Sequence, residues 1–497
     1  MTLRIAYAGI IQLIAQFSTL ITGLIFVTMV TRNLSIDEFG LWQTLGSSVG
    51  LLLIPLAPLN YWTLRYSARG QDVAKTSLLS GLIAVPIFVI AYLVLALTAS
   101  NSIDTILIYV LIYCIQIPAL CIWEVVKPVA RSYRPEYLGY ATIALEIGKV
   151  AGAYYTIIIL NLGLVGAIIS LAIGQFLQLA MVIYIIRPKL KGEFNSSIVK
   201  KWYKAAWVPI SNISVSRLSI SDSILVAIIL GSTTVVGIFQ ASRVFALIVR
   251  YSEIFLRVLY PKLIRDNSKE DITLTFRLQS FVVVPLAVGA LMLAEPLLGI
   301  LGEQYSNAGM ILRILTIVAV VEGIEFFMWN ILTGLEKIDE DVNNLQFKKL
   351  KNSWLIRLPL IDLIKYAAYF PILGAIMYTT KGIENELTLS MYWAITLLLI
   401  TIPITIYKIT LAKRAMQFEF PKLSILRYIF SGIIMASFLY FYQQAIPLKG
   451  TSVGSIIVYI LPPGFISVLI YLIIVLSIDS FIRESTIEFL KGVSGKV

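Results

Sequence analysis

Long apolar stretches, separated by short polar and mostly basic segments, recur along the whole chain. About fourteen are long enough to cross a hydrocarbon core of roughly 30 Å. They run over residues 5–30, 40–62, 77–99, 103–126, 138–160, 163–186, 206–230, 234–256, 278–300, 308–334, 354–379, 387–407, 425–445 and 453–477. Each reads as a membrane helix, so the chain is expected to be an all-α, polytopic membrane protein of about 14 transmembrane helices. Basic residues fix the expected orientation, because they are retained on the cytoplasmic side during insertion. With the N-terminus in the cytoplasm, about 31 of the 40 Lys and Arg fall in cytoplasmic loops, termini and span ends. Three lie outside (Arg32, Lys381, Lys449) and six within the membrane. Removing one span from the first half would scramble this alternation, so both termini are expected to be cytoplasmic.

Composition agrees with this topology. A 497-residue chain that is 58% hydrophobic and 14% charged is not a soluble globular protein. The net charge of +12 follows from the orientation rule, with anionic lipid headgroups as a second contact, and does not point to nucleic acid. The first span, about 26 residues after Arg4, is too long for a signal-peptide core and reads as a membrane helix. Cys114 and Cys121 are seven apart on one predicted helix, with Cα atoms roughly 10 Å apart, too far for a disulfide. There is no histidine, which excludes a His-ligated metal or a histidine proton relay. No metal, nucleotide or organic cofactor is expected, and no G-x-x-x-x-G-K-[ST] loop is present to bind ATP.

The outer loops are short. The longer cytoplasmic loops, 187–205, 257–277 and 335–353, are still too short for a folded domain, which places function in the membrane body or at its faces. Two internal matches suggest a repeat. Phe39-Gly40-Leu41-Trp42-Gln43-Thr44 opens the second span, and Val236-Gly237-Ile238-Phe239-Gln240-Ala241 opens the eighth, 197 positions later. Glu146 and Lys149 precede Ala151-Gly152-Ala153-Tyr154 in the fifth span; Asp362 and Lys365 precede Ala367-Ala368-Tyr369-Phe370 in the eleventh. Both pairs are six spans apart. Six is even, so the halves share one orientation, as parallel repeats related by an axis along the membrane normal do. The expected organisation is a six-helix lobe over 1–204, a second over 205–415 in parallel pseudo-twofold repeat, and two additional helices over 416–497.

Fourteen spans arranged as six, six and two resemble the polysaccharide (O-antigen or lipid-linked oligosaccharide) flippases. That family belongs to the multidrug/oligosaccharidyl-lipid/polysaccharide exporter superfamily. The segment from Arg32 to Trp42 (Arg-Asn-Leu-Ser-Ile-Asp-Glu-Phe-Gly-Leu-Trp) is similar to the family's loop between spans one and two. Leu301-Gly302-Glu303-Gln304-Tyr305, followed by Ala308 and Leu312-Arg313-Ile314-Leu315, is similar to its approach to span ten. Asp222 through Gly237 is similar to its seventh span and the turn into the eighth. The resemblance covers nearly the whole chain, through motifs that are mostly structural. It implies translocation of a polyprenyl-diphosphate-linked glycan from the cytoplasmic to the outer leaflet of the plasma (inner) membrane. Other membrane proteins of polysaccharide assembly would be partners. The chain departs from the lipid II branch, whose leading helices carry arginines. Here the interior of the first span has only Gln12 and Gln16, and Arg32 and Arg65 sit at span ends, which disfavours lipid II as cargo.

Six basic residues lie inside the predicted spans: Lys149, Arg217, Arg243, Arg250, Arg313 and Lys365. Lys149, Arg217, Arg243 and Lys365 fall roughly 14–17 Å deep, where a charge costs at least a few kcal/mol unless it faces water or a partner. Lys149, Arg217, Arg243, Arg250 and Lys365 would form a cationic cavity between the lobes for the diphosphate and acidic sugars. For the i,i+3 pairs Glu146/Lys149 and Asp362/Lys365, mutual neutralisation during insertion is an equal reading. Arg313 is near the outer end, within reach of the interface. Glu322 and Glu325 share a helix face; with Glu146, Asp362 and Asp222 they are candidates to take up a coupling H⁺ or Na⁺, or to pair with neighbouring basic residues. Arg65, Arg69, Lys75, Arg131 and Arg134 would meet the diphosphate at the cytoplasmic face, or simply set orientation. Pro86 and Pro285 occupy similar places in spans three and nine, where they would kink the helices. Asp339-Glu340-Asp341 contains a D-x-D but sits in a lysine-rich loop and reads as a solvated acidic patch.

The residues thus predict a transporter without covalent chemistry, working by alternating access, with a groove for the polyprenyl tail at spans 13 and 14. Two alternatives stay open. One is a multidrug or toxin extruder coupled to Na⁺ or H⁺, which the extra helix pair argues against. The other is a membrane enzyme of polysaccharide assembly, a polymerase or lipid-linked glycosyltransferase, which usually places catalytic groups in a large outer loop that this chain lacks.

Overall fold

The protein is described from a computed structural model over residues 2–100, 106–134, 136–253, 256, 269–336, 353–416, 418–448, 450 and 452–484. Lys449, the Asp339-Glu340-Asp341 triplet and most of loops 257–277 and 335–353 lie outside these residues, as do the side chains of Arg4, Gln12 and Gln16. The described residues form helices and connections, with no strand among them. In order the helices are α1 (Thr2–Asn33), α2 (Ile36–Leu52), α3 (Ala57–Ala68), α4 (Ala74–Ser100), α5 (Ile106–Tyr113), α6 (Gln116–Tyr133), α7 (Glu136–Ala153), α8 (Gly163–Ile186), α9 (Ser196–Lys204) and α10 (Trp207–Leu218). There follow α11 (Asp222–Leu230), α12 (Thr234–Ala246), α13 (Lys269–Met292), α14 (Ala294–Leu301), α15 (Gly309–Gly334), α16 (Trp354–Thr380), α17 (Glu386–Ala415), α18 (Lys422–Ala445) and α19 (Val453–Ile478).

Over the described residues, each of the fourteen predicted stretches coincides with one helix or with two joined by a short break. Among the described residues, eleven helical segments are long and apolar enough to cross a membrane. A twelfth is the pair Pro209–Leu218 and Asp222–Leu230, bent by 46°. The two remaining predicted stretches are α1 and α15, the latter carrying Arg313, Glu322 and Glu325. Outward-facing side chains are apolar, as contact with lipid requires: on α4, Ile83, Ile87 and Ile90 are each more than 60% exposed. Pro86 and Pro285 sit inside the unbroken helices α4 and α13. Both cysteines are free, Cys121 buried and Cys114 half-buried.

The chain separates into two compact units, Met1–Gly237 with Gly374–Lys381, and Ile238–Leu373 with Gly382–Val497. This division falls at residue 237, beyond the 204/205 lobe boundary expected from the repeat, so the seventh predicted span groups with the first unit.

In the first unit, Ser35 begins α2 with a capping box. Its hydroxyl accepts from the Glu38 backbone N–H at 3.1 Å, and Glu38 accepts from the Ser35 N–H at 2.9 Å. Asp37 on the same turn accepts from the backbone N–H and hydroxyl of Thr233, at 3.1 and 2.8 Å. The glycines of the internal repeat meet here. A Cβ on Gly40 would strike the Thr233 carbonyl oxygen, and one on Gly237 would strike the Ile36 carbonyl oxygen. Residues 36 and 233, like 40 and 237, are 197 apart, so the contact is reciprocal at the repeat's own spacing. Overpacking of this kind costs about 1–3 kcal/mol. Gly40→Val is therefore expected to lower the melting temperature of the purified protein. Gly23→Ala, with nothing within 4 Å of the added carbon, should leave it unchanged or slightly raised. Equal melting of the two variants would contradict the close approach. At the end of α11, Gly231 takes a left-handed φ of +70°, and the Lys381 ammonium donates to the Ile229 carbonyl at 2.7 Å, satisfying a free helix end.

The second unit has an apolar core of Ile272, Phe276, Phe327, Met328, Ile331, Leu332, Leu358 and Ala412, where α13, α15, α16 and α17 meet. Phe239 stacks on Trp393 with ring centroids 3.8 Å apart, and the Trp393 indole N–H donates to the Tyr369 hydroxyl at 2.8 Å. Just past α19, Asp479 pairs with Arg277 of α13 and accepts from the Tyr428 hydroxyl of α18 at 2.9 Å. Burial alone would raise the Asp479 carboxyl, but donation from Tyr428 and Arg277 outweighs it and holds the group below its usual range. The folded state therefore gains stability from Asp479 above the unfolded carboxyl value of about 3.9 and loses it as pH falls through the lower folded value. In acid titrations of the purified protein, Asp479→Asn should remove part of the loss of stability. An unchanged titration would show that this clamp contributes nothing.

Candidate functional site

The residues that can carry chemistry are charges buried among apolar helices, and nearly all are held in pairs. In the first unit, Lys149 pairs with Glu146 one turn back on α7, at 2.7 Å, as the i,i+3 spacing allows. The Thr22 hydroxyl of α1 donates to the same carboxylate, and the Lys149 ammonium lies 5.4 Å from the Phe26 ring centroid. Arg217, on α10, pairs across helices with Glu124 of α6 at 3.2 Å. Asn60 of α3 donates to the Glu124 backbone carbonyl at 2.8 Å and to its carboxylate at 3.0 Å. Asp222 is buried at the start of α11 and accepts from the Ser223 backbone N–H at 3.0 Å.

The basic residues expected at the cytoplasmic face are spread out. Arg69 and Arg131 are exposed, and Lys75 is half-buried. Arg65 lies over Tyr61 at 4.6 Å, and Arg134 donates to the Tyr137 hydroxyl at 2.9 Å. A polar cavity of about 310 Å³ opens among Ser67, Gln71, Asp72, Ser132, Tyr133 and Lys189. Lys189 is the basic residue in its lining; Arg65, Arg69, Arg131 and Arg134 stand outside it.

In the second unit, Arg250 follows α12 in a 3-10 segment and bridges Glu253 at 2.6 Å and Glu322 of α15 at 3.4 Å. Arg313 pairs with Glu295 at 2.7 Å and donates to the Leu291 carbonyl at 3.1 Å. Deeper in the unit, Glu325 of α15 accepts from Lys365 of α16 at 3.0 Å and from Lys408 of α17 at 2.6 Å. Lys408 also bonds Asp362 of α16 at 2.5 Å. The four side chains are 1–11% exposed, and the Lys408 ammonium faces the Trp329 ring at 5.2 Å. The apolar core begins one turn away on each helix, at Met328, Leu358 and Ala412.

This geometry alters the expected pairings. Asp362 and Lys365 do not neutralise each other along α16: Lys365 reaches Glu325 and Asp362 reaches Lys408. Glu322 and Glu325 are drawn to different cations, Arg250 and the two lysines, rather than left as a like-charged pair. Sequence reasoning missed Lys408 because the predicted span ended at residue 407. The signal was nonetheless there. Trp393, Leu397, Thr401, Thr405, Lys408 and Ala412 are buried at spacings of three to four, so helical periodicity places Lys408 on the inward stripe. Glu124, the partner of Arg217, was also missed, since a contact 93 residues apart leaves no local pattern.

One of the five predicted cargo-contacting cations remains. Arg243, half-buried on α12, has no ion pair, hydrogen bond or ring contact among the described residues.

No protein-family model matches the chain, and no curated protein matches it in sequence. Solved structures do match in fold. A lipid II flippase MurJ, in an inward closed conformation, aligns over 96% of this chain and 100% of its own, with a TM-score of 0.67 at 14% identity. A multidrug resistance MATE family transporter of the MOP superfamily, facing inward, aligns over 80% and 95%, with a TM-score of 0.58 at 14% identity. Such a transporter facing outward aligns over 83% and 96%, with a TM-score of 0.52 at 13% identity. The chain has the polytopic, all-helical fold of these transporters and flippases.

Proposed function

We propose that this protein is a flippase that moves a polyprenyl-diphosphate-linked oligosaccharide from the cytoplasmic to the outer leaflet of the plasma (inner) membrane by alternating access. The observation that carries the reading is Arg243. A partly buried cation costs at least about 2.5–3.5 kcal/mol at the bilayer centre. With no partner among the described residues to offset that cost, it is suited to a passing anion, and the diphosphate is one. The other four predicted cargo-contacting cations already have carboxylate partners.

The cargo's tail calls for an apolar surface on the helical body. The second unit has an apolar groove of about 450 Å³ along α13, α15 and α18, lined by Phe276, Val283, Val284, Val320, Ile429 and Ile433. α18 is one of the two helices beyond the six-plus-six arrangement, which gives the extra pair a purpose. The fold shared with a lipid II flippase supports a lipid-linked cargo. A cation-exporting extruder is less well served, because an unpaired arginine repels its substrate. N- and C-termini in the cytoplasm, and contact with other polysaccharide-assembly proteins, belong to the same proposal.

Binding tests it. Native mass spectrometry of the purified protein should detect bound polyprenyl-diphosphate oligosaccharide, with polyprenol alone held more weakly. Equal retention of the two would leave the diphosphate unrecognised and overturn the reading.

A further inference from the structure

The cluster of Glu325, Asp362, Lys365 and Lys408 does more than any single pair requires. Two carboxylates and two ammonium groups from α15, α16 and α17 balance to zero charge, almost wholly out of water. We propose that this cluster is the site at which the transport cycle takes up a single proton, with Asp362 the acceptor and Lys408 the positioning residue that responds. The inference rests on the transport reading above.

The geometry separates the two acids. Glu325 accepts from both lysines, whereas Asp362 accepts from Lys408, which it shares with Glu325. Asp362 is the carboxylate with fewer stabilising donors, so its charge is the less strongly held. Among the described residues, the charges facing it belong to the set: Lys365 on its own helix, Glu325 on α15 and Lys408 on α17, with Arg250 linked through Glu322 one turn from Glu325.

Proton uptake converts the Asp362 carboxylate to a carboxylic acid, and no other bond forms or breaks. Lys408 keeps its three protons but loses one charged acceptor, leaving two lysines to share Glu325. The cluster changes from neutral to a net charge of +1. In a low-dielectric setting that favours an anion nearby or a shift of α17 against α16. Sodium fits poorly. Both carboxylates already accept ammonium donors, and among the described residues no three acidic or sulfur ligands are gathered to hold a metal ion.

The test uses the full chain reconstituted in vesicles. Infrared difference spectra between mildly alkaline and mildly acidic buffer should show a carboxylic C=O band in the wild type. That band should vanish in Asp362→Asn and persist in Glu322→Gln, which leaves all four members of the cluster in place. No band, or a band retained in Asp362→Asn, overturns the proposal. In the second arm, a proton gradient should speed flipping of polyprenyl-diphosphate oligosaccharide by at least about tenfold in the wild type, within the usual range of coupling. The charge-balanced variant Asp362→Asn, Lys408→Met keeps the Glu325–Lys365 pair and should flip without responding to the gradient. A response retained by that variant, or an equal response to a sodium gradient in the wild type, overturns the proposal. A wild type that shows the Asp362 band but flips no lipid-linked glycan would sink the flippase reading and leave the proton site standing.

Discussion

Lys408→Met is expected to be the most destabilising single substitution in the second unit. Lys408 is 1% exposed and is bonded to both Glu325 and Asp362. In mildly alkaline buffer, where Asp362 is ionised, removing Lys408 takes away the ammonium bonded to Asp362 and leaves Glu325 with Lys365 alone. Breaking a buried pair from one side costs about 3–5 kcal/mol, because the remaining charge stays out of water. Removing both members costs far less, since replacing a buried ion pair with groups of similar volume is often close to neutral. Lys408→Met combined with Asp362→Asn should therefore recover most of the stability lost in Lys408→Met. Thermal melting of the purified proteins in detergent measures this directly. A double variant as unstable as the single would mean that the two charges do not act as a pair.

Arg243→Ala should have the opposite signature, with transport lost and stability kept. No partner among the described residues is left behind when this side chain is shortened, so melting should shift by less than about 0.5 kcal/mol, as for substitutions away from packed or paired features. A charge-assisted hydrogen bond to an anion contributes about 1.5–3 kcal/mol, which corresponds to roughly ten- to hundredfold in cargo affinity. Arg217→Ala is the informative comparison. It strands Glu124, which among the described residues keeps Asn60 as its side-chain donor, so it should lower both stability and transport. If Arg243→Ala binds and flips the cargo as well as the wild type, Arg243 is not the anion contact.

Hydropathy alone placed the helices, because a lipid-crossing segment must be continuously apolar over its length and its flanking charges are local in sequence. The reciprocal approach of Gly40 and Gly237 was visible as the 197-residue repeat, although the collision that demands glycine there was not. Pairing was the part that could not be read. The choice of Asp362 for Lys408 rather than for Lys365, one turn away on its own helix, depends on how α16 and α17 pack. That information is spread over many weak apolar contacts. A linear reading also overstated the cationic character of the candidate site. Of its five cations, Lys149, Arg217, Arg250 and Lys365 have carboxylate partners, two of them on distant helices and one on both the near and the distant segment. The breaks at Cys114–Ile115 and Ser219–Ser221 were equally hidden, since apolar runs continue through them.

The most direct measurement is a leaflet assay on vesicles containing only this protein and a fluorescent polyprenyl-diphosphate oligosaccharide loaded in one leaflet. Appearance of the label in the opposite leaflet, dependent on the protein and lost in Arg243→Ala, is the predicted result. Vesicles that leave the glycan lipid in place but expel a cationic dye against a proton or sodium gradient would contradict it and establish an extruder instead.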